Sequence, residues 1–166
     1  MRKRVGQKEP GFTSRSRARK ADAVTAGEPP LVTERRYRRD LGSLREMFAF
    51  VSEFLAARGL SPSNAFPLEL ILEELFTNVL KYRKGGEDVV AVRLGLENDR
   101  LVLSFVEFQV DPFDITEIPE PDLTAPAHER RPGGMGIHLV KKLSDRVSYE
   151  HRDGVGTTTI TKSVER

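Results

Sequence analysis

The chain carries two kinds of hydrophobic pattern, one with the period of an amphipathic helix and one with the alternation of a half-buried strand. In three segments the apolar residues recur every three or four positions and predict helices: Leu41–Leu60, Ala65–Tyr82 and Gly133–Ser144. Five segments have the composition of strands: Leu31–Asp40, Asp88–Leu96, Leu101–Phe108, Arg146–His151 and Thr157–Val164. Glu97–Arg100 is predicted to be the turn that joins the second strand to the third.

This order of elements predicts an α+β domain. We expect a two-layer α/β sandwich in which the helices cover one face of a mixed, mostly antiparallel sheet. Between the third strand and the last helix lies Ile115–Pro132, which contains four prolines and charges of both signs. A loop of this length inside a compact domain usually has a function, so we predict a lid that is more mobile than the core.

The distribution of charge divides the chain into two parts. Residues 1–30 contain eight Lys or Arg residues against three acidic ones and almost no large apolar residues. Such a segment cannot bury enough surface to offset the entropy lost on ordering. We therefore predict a disordered basic tail over residues 1–30 and one domain over residues 31–166. The tail is either a plain solvated segment or an arm for nucleic acid or an acidic partner, and elsewhere we expect no direct nucleic-acid binding.

The overall composition restricts the class of protein further. A chain of 166 residues with 38% hydrophobic content can form one ordinary core. It has no apolar run of about 18 residues, the length that a membrane-spanning helix requires. It also has no cysteine, so disulfides and thiolate metal sites are excluded. We expect a cytoplasmic protein without membrane contact.

The second predicted helix carries the first candidate site. Glu74, Asn78 and Tyr82 are four residues apart and therefore share one line along the margin of the apolar stripe. Asn78 can offer its side-chain oxygen to Mg²⁺, which prefers oxygen ligands, and Glu74 can accept a proton from a hydroxyl nucleophile. The spacing alone is more typical of a solvated helix face, so the assignment depends on the surrounding sequence.

The third predicted helix opens on the second candidate site. It begins Gly133-Gly134-Met135-Gly136-Ile137, with three glycines in four residues. Glycines at a helix N-terminus let backbone N–H groups approach an anion, and the helix dipole favours negative charge there. Arg131 precedes these glycines and is placed to reach a bound phosphate, although an ordinary exposed arginine is an equally good interpretation.

These motifs together resemble those of one superfamily. Glu-Glu-Leu-Phe-Thr-Asn-Val-Leu-Lys-Tyr at residues 73–82 resembles the N-box of GHKL ATPases, and residues 131–140 resemble their second glycine box. Gly154-Val155-Gly156-Thr157 resembles the late Gly-x-Gly-Thr element, whose threonine helps to seat the adenine. The chain is similar in this order of motifs to the anti-sigma factor serine/threonine protein kinases, from about Leu31 to Val164.

The resemblance implies a fold and a function. It implies the Bergerat, histidine-kinase-like ATPase fold, with ATP and Mg²⁺ as cofactors. Glu74 would be the catalytic base and Asn78 the Mg²⁺ ligand, and the residues that bind the nucleotide would be Asn78, Tyr82, Gln109, Arg131, Gly133, Gly134, Met135, Gly136, Ile137 and Thr157. The protein would restrain a sigma factor, phosphorylate an anti-anti-sigma (STAS-type) partner and form a homodimer. The usual contact region of such a dimer is the first strand, here Leu31–Asp40, with the helix after it.

One segment departs from the family pattern. The family has Asp-x-Gly before Pro-Phe-Asp, and alignment on Pro112 and Phe113 puts Phe108 at the aspartate and Val110 at the glycine. Glu107 lies one residue before the aspartate position, and a shift of one residue would place its side chain on the opposite face of the strand. Gln109 could accept a hydrogen bond through its amide oxygen instead. The departure leaves open a second function, a non-catalytic partner-binding module of the same fold. A third possibility, the detached ATP-binding half of a histidine kinase, matches the first strand and the lid less well.

Overall fold

The structure, a computed structural model, describes residues 32–120 and 134–165. The predicted basic tail, most of the predicted lid, Arg131 and Gly133 lie outside the described residues. The helices are α1 (Ser43–Ala57), α2 (Ala65–Tyr82) and α3 (Gly134–Leu143). The strands are β1 (Thr33–Arg38), β2 (Val89–Glu97), β3 (Arg100–Phe108), β4 (Arg146–Arg152) and β5 (Val155–Ser163). Single 3-10 turns lie at Pro62–Asn64 and Ile115–Glu117.

The five strands form one sheet in the order β1-β2-β3-β5-β4. All four pairings between neighbouring described strands are antiparallel. The α+β class and the sandwich architecture are thus confirmed, while the parallel component implied by a mixed sheet is not found in the part of the chain that the structure describes. Helix α2 has the predicted bounds, and the first predicted helix is shorter at both ends.

Both local hairpins close through two residues in the left-handed region. Asn98 and Asp99, with φ of 49° and 60°, join β2 to β3. Asp153 and Gly154, with φ of 50° and 78°, join β4 to β5. Two consecutive positive φ values define the type I′ turn, whose twist matches that of paired strands. The turn around Gly154 is therefore a hairpin loop, and the strands on either side of it extend further than predicted.

The core lies between the helices and one face of the sheet. Alternate strand residues contribute to it, among them Val92 on β2, Leu103 on β3 and Ile160 on β5, all fully buried. The apolar stripe predicted for α2 is buried in the same cluster: Leu68, Ile71, Leu72, Leu75 and Val79. Since α1, α2 and α3 all pack into this one cluster, they cover the same face of the sheet.

The C-terminal end of α2 is held by Arg39, which follows β1. Its guanidinium donates hydrogen bonds to the carbonyl oxygens of Arg83 (3.1 Å) and Val79 (3.4 Å) in the last turn of the helix. It also donates to Gly85 (2.6 Å) and Glu87 (3.3 Å) in the loop that follows. The Val79 carbonyl also accepts the Arg83 backbone N–H (3.1 Å), so Arg39 adds a second bond there, and it gives the Arg83 carbonyl a partner beyond the helix end. One side chain thus fixes the end of α2 against the edge of the sheet.

Within the described residues, no helix has both the length and the apolar character needed to cross a bilayer.

Tyr37 on β1 predicts a change of stability at high pH. Its side chain is buried, its hydroxyl has no hydrogen-bond partner among the described residues, and burial raises its pKa to about 12. The ordinary pKa of tyrosine is about 10, so the folded protein holds this proton more tightly than the unfolded chain does. The free energy of unfolding should therefore fall as pH rises from about 10 to about 12. In Tyr37→Phe this fall should be smaller, as measured by urea denaturation at a series of pH values. An equal fall in both proteins would contradict the assignment.

Candidate functional site

Two predicted motifs meet where α2 packs against α3. Glu74 on α2 lies directly over Gly136 in the first turn of α3. A Cβ atom added at Gly136 would lie 2.7 Å from Glu74 Cδ and closer still to Oε2. Only glycine therefore leaves room for the Glu74 carboxylate in this position. The half-buried carboxylate lies beside the N-terminal turn of α3, where the helix dipole favours a negative charge.

Asn78 lies one turn further along α2 on the same line. Its side chain is half-buried, and its amide nitrogen is buried without a hydrogen-bond partner among the described residues. An amide buried in this way usually has a ligand or a water as its partner. The unpaired amide of Asn78 and the close approach at Gly136 fit the phosphate and metal end of a nucleotide site.

The other residues predicted for the phosphate and metal end of the site lie on α2 and α3. Tyr82 at the end of α2 is 61% exposed, and Met135 in the first turn of α3 is 49% exposed. Ile137 is buried in the core, so its contribution is to packing. Gly134 begins α3. Arg131 and Gly133 are not among the described residues, and their roles stay predictions.

The end of β3 differs from the arrangement expected from the sequence. Glu107 pairs with Gly156 on β5 and shares the helix-facing side of the sheet with Phe105, and it is only 8% exposed. Phe108 faces the other side, where the guanidinium carbon of Arg36 lies 4.9 Å from its ring centroid. The expectation that Glu107 faces away from the site is therefore wrong. At the end of β3 the side chain that points toward the helices is Glu107 and not Phe108.

Val110 returns to the helix-facing side and fills a hollow there. Gln109 has a φ of 53°, which interrupts the alternation of the strand. Cγ1 of Val110 would lie 2.9 Å from a Cβ added at Gly86, and its Cγ2 would lie 3.4 Å from one added at Gly156. The isopropyl group thus occupies space between two glycines. A glycine at position 110, as in the family pattern, would leave this hollow open for a base.

The segment after β3 is fixed against β4 and α3. Tyr149 accepts a hydrogen bond from the Phe113 backbone N–H (2.9 Å), and His151 Nε2 donates to the Val110 carbonyl (2.8 Å). Further along, Lys141 on α3 donates to the carbonyls of Thr116 (2.9 Å) and Ile118 (2.7 Å). The first residues of the predicted lid are therefore anchored to the domain, and Ile115 belongs to the core.

Arg83, the residue after α2, makes the main polar contacts at this end. Its Nε donates to Glu107 Oε1 (3.0 Å) and its Nη2 to Glu107 Oε2 (3.4 Å). Its Nη1 donates to the Asp111 carbonyl (3.0 Å), and its guanidinium carbon lies 4.9 Å from the centroid of the Phe113 ring. The Arg83 and Glu107 side chains are 16% and 10% exposed, so the ion pair is well shielded from water.

Two residues predicted to contact the base are oriented away from this end. Gln109 is exposed and donates from its amide to Glu87 Oε1 (3.0 Å). Thr157 pairs with Val106 and lies on the outer face of the sheet, whereas its neighbour Thr158 is buried on the helix-facing side with Ile160. Thr158 is therefore the threonine that faces the cleft. In this conformation Val110 and Arg83 occupy the cleft at the end of β3.

Three residues at this end of the cleft were not predicted from the sequence: Arg83, Glu107 and Tyr149. For Glu107 a signal was present, because it continues the alternation of the apolar residues Leu101, Leu103 and Phe105. Arg83 and Tyr149 have no such signal, since their contacts join residues that are far apart in the chain.

The contact between Glu74 and Gly136 can be tested by substitution. Gly136→Ala should destabilise the protein by only about 0.5–1.5 kcal/mol, because the added methyl overlaps the Glu74 carboxylate and forces this flexible side chain into another rotamer. Combining it with Glu74→Ala should recover much of this loss, as measured by chemical denaturation. The control is Gly95→Ala on β2, where a Cβ would make only an ordinary contact of 3.4 Å. Additive effects of the Gly136 and Glu74 substitutions would show that the two residues do not touch.

Comparison with known proteins agrees with this architecture. Residues 37–162 match the family model described as a histidine kinase-like ATPase domain. The chain is 27% identical over 97 residues to the serine/threonine-protein kinase BtrW of Bordetella bronchiseptica, which covers 58% of this chain and 68% of BtrW.

Two solved structures share the fold at 16% identity. The RsbU and RsbW domains of Rv1364c from Mycobacterium tuberculosis match with a TM-score of 0.55 over 84% of this chain, which spans only 33% of that longer chain. The SiaB–SiaC complex from Pseudomonas aeruginosa matches with a TM-score of 0.53 over 80% of this chain and 89% of the matched chain. With a family match that covers most of its length, the chain belongs to the histidine kinase-like ATPase domain family.

Proposed function

We propose that this protein is an anti-sigma regulatory factor with ATP-dependent serine/threonine kinase activity toward an anti-anti-sigma partner. The observation that carries the proposal is the meeting of Glu74 with the glycine turn of α3, one helical turn from the unpaired amide of Asn78. A carboxylate, a carboxamide and a helix N-terminus are thus collected at one place. Such a set can bind phosphates and accept a hydroxyl proton.

Each residue has one role in this proposal. Bound Mg-ATP would supply the phosphoryl group. Glu74 would take the proton from the serine or threonine hydroxyl of the partner, and Asn78 would offer its side-chain oxygen to Mg²⁺, which usually keeps water and phosphate oxygens as its other ligands. The backbone of Gly134 and Gly136 would hold the phosphates, with Gly133 and Arg131 as further candidates.

The relatives support the proposed partners. BtrW is named as a serine/threonine-protein kinase, and the two matched structures contain an RsbW domain and a SiaB–SiaC complex. By analogy we propose that the chain binds a sigma factor and a STAS-type partner. We also propose that it forms a homodimer through β1 and the helix after it. Val32, which is 51% exposed, and Leu41, which is 67% exposed, offer apolar surface at the two ends of β1.

A second function is favoured by the base end of the cleft. Val110 fills the hollow between Gly86 and Gly156, and Arg83 binds the Glu107 carboxylate. A protein with this arrangement binds a nucleotide only after these side chains move. If they do not move, the chain acts by sequestering its partner and not by phosphorylating it.

The catalytic proposal predicts a separation of two activities. Glu74→Ala should abolish transfer of phosphate to the partner, because no other carboxylate lies on that line of α2, and it should leave partner binding intact. Asn78→Ala should remove the Mg²⁺ dependence together with most of the nucleotide affinity. Phosphorylation followed with radiolabelled ATP and binding by calorimetry give the two readouts. The matched control is Glu73→Ala, which changes an exposed neighbour. Equal phosphorylation by Glu74→Ala and the natural protein would overturn the role of Glu74.

The hollow at Val110 predicts a gain of affinity. Val110→Gly should tighten Mg-ATP binding about tenfold in calorimetric titration, since a base that enters the space filled by Val110 would overpack it, at a cost of about 1–3 kcal/mol. Phe108→Asp, which changes the outer face of the sheet, should leave ATP affinity unchanged and serves as the control. If neither the natural protein nor Val110→Gly binds ATP, the kinase proposal gives way to the non-catalytic module.

A further inference from the structure

Four backbone carbonyl groups surround one arginine side chain at the C-terminal end of α2. The guanidinium of Arg39 donates hydrogen bonds to the carbonyl oxygens of Gly85 (2.6 Å), Arg83 (3.1 Å), Glu87 (3.3 Å) and Val79 (3.4 Å). The partial negative charge at a helix C-terminus favours a cation there. A planar guanidinium has five N–H donors in fixed directions, so it can bind several carbonyls at once. Arg39 thus joins the last turn of α2 to the loop that follows it.

The loop after α2 is held in two different ways. At its far end the Glu87 N–H donates to the Phe108 carbonyl of β3 (3.0 Å). For residues 84–86, the only hydrogen bond to another described residue is the one from Arg39 to the Gly85 carbonyl. The first part of the loop therefore depends on Arg39 for its position.

The backbone that Arg39 holds lies beside both ends of the cleft. The Val79 carbonyl belongs to the residue directly after Asn78. Gly86 lies between Arg39 and Val110, because a Cβ added at this glycine would be 3.5 Å from Arg39 Nη1 and 2.9 Å from Val110 Cγ1. One guanidinium thus contacts the backbone next to the proposed Mg²⁺ ligand and the loop behind the side chain that fills the hollow.

We propose that Arg39 is a positioning residue for nucleotide binding, which acts through the backbone from Val79 to Glu87. Because Arg39 fixes this backbone before a ligand arrives, binding loses less conformational entropy than it would with a mobile helix end. The effect on nucleotide affinity rests on the proposed function. The effect on the backbone stands on the geometry alone.

Hydrogen exchange tests the effect on the backbone without any nucleotide. In Arg39→Ala the amides of residues 79–86 should exchange about tenfold faster than in the natural protein, the effect of losing one hydrogen bond to a charged group. The amides of β2 and β3 should stay protected. The matched control is Arg38→Ala, which removes a neighbouring exposed arginine and should leave exchange unchanged. Unchanged exchange in Arg39→Ala, or an equal rise in Arg38→Ala, would overturn the proposal.

Phosphorylation kinetics test the effect on the nucleotide. In Arg39→Ala the KM for Mg-ATP should rise about tenfold, because binding must then order at least one residue that is otherwise fixed. The value of kcat should change little, since Glu74 lies more than two helical turns before Arg83 and is placed by α3. A fall of kcat at constant KM would contradict a positioning role. A lower KM would show that Arg39 keeps the cleft closed, which is the opposite of the proposal.

Two further variants separate positioning from a general loss of stability. Ile160→Val removes a methylene group from the core on β5 and should leave the KM unchanged, whereas a rise equal to that of Arg39→Ala would refute the positioning role. Arg39→Lys keeps the charge but has three donors for four carbonyls, so its exchange rates and KM should lie between those of Arg39→Ala and the natural protein. If Arg39→Ala does not fold, Arg39→Lys replaces it in both experiments.

The two experiments also distinguish this proposal from the proposed function. If the natural protein binds no Mg-ATP while Arg39→Ala exchanges faster at residues 79–86, the kinase function is refuted and the control of the cleft backbone by Arg39 is confirmed. If the natural protein phosphorylates its partner and Arg39→Ala does so with an unchanged KM, the function is confirmed and the positioning role of Arg39 is refuted.

Discussion

The packing of α2 against the sheet determines where every part of the candidate site lies. The apolar stripe of the helix is buried against β2 and β3, and Arg39 holds its C-terminal turn through backbone carbonyls. With the helix fixed along its length, the residues on its margin have fixed positions too. Glu74 is brought to α3, and Arg83 is brought to the end of β3. The two ends of the site are thus connected by a helix of fixed position and not by a flexible loop.

The two ends of the site differ in whether their polar groups already have hydrogen-bond partners within the chain. At the α3 end the helices meet at a glycine, and a buried amide has no partner among the described residues. At the β3 end the polar groups are satisfied within the chain, because Glu107 is paired with Arg83 and the backbone of Val110 and Phe113 is bonded to β4. An unsatisfied group stabilises a bound ligand, whereas a satisfied one must first lose its partner. The family assignment alone does not predict this difference.

The sequence predicted the elements well because their patterns are local. The stripe of α2 and the glycines after it indicate the extent of that helix, and the I′ turn at Asn98 and Asp99 lies within the predicted turn Glu97–Arg100. The orientation at the end of β3 was missed because the alignment counted residues through Gln109, whose positive φ breaks the two-residue alternation. The contacts of Arg39 and Arg83 were missed for another reason. They join residues at least 24 positions apart, and no local period records such a pairing.

The antiparallel pairing of β3 with β5 also has a consequence for how the domain assembles. The β2–β3 and β4–β5 hairpins each close through two residues, so each can form by itself at small entropic cost. Joining β3 to β5 closes a much longer stretch of chain, which contains the 3-10 turn at Ile115–Glu117 and α3. Contacts of high sequence separation slow folding. The cleft is therefore bounded by one of the two long-range pairings of the described sheet, the other being β1 with β2, and we expect the two hairpins to form before the binding site does.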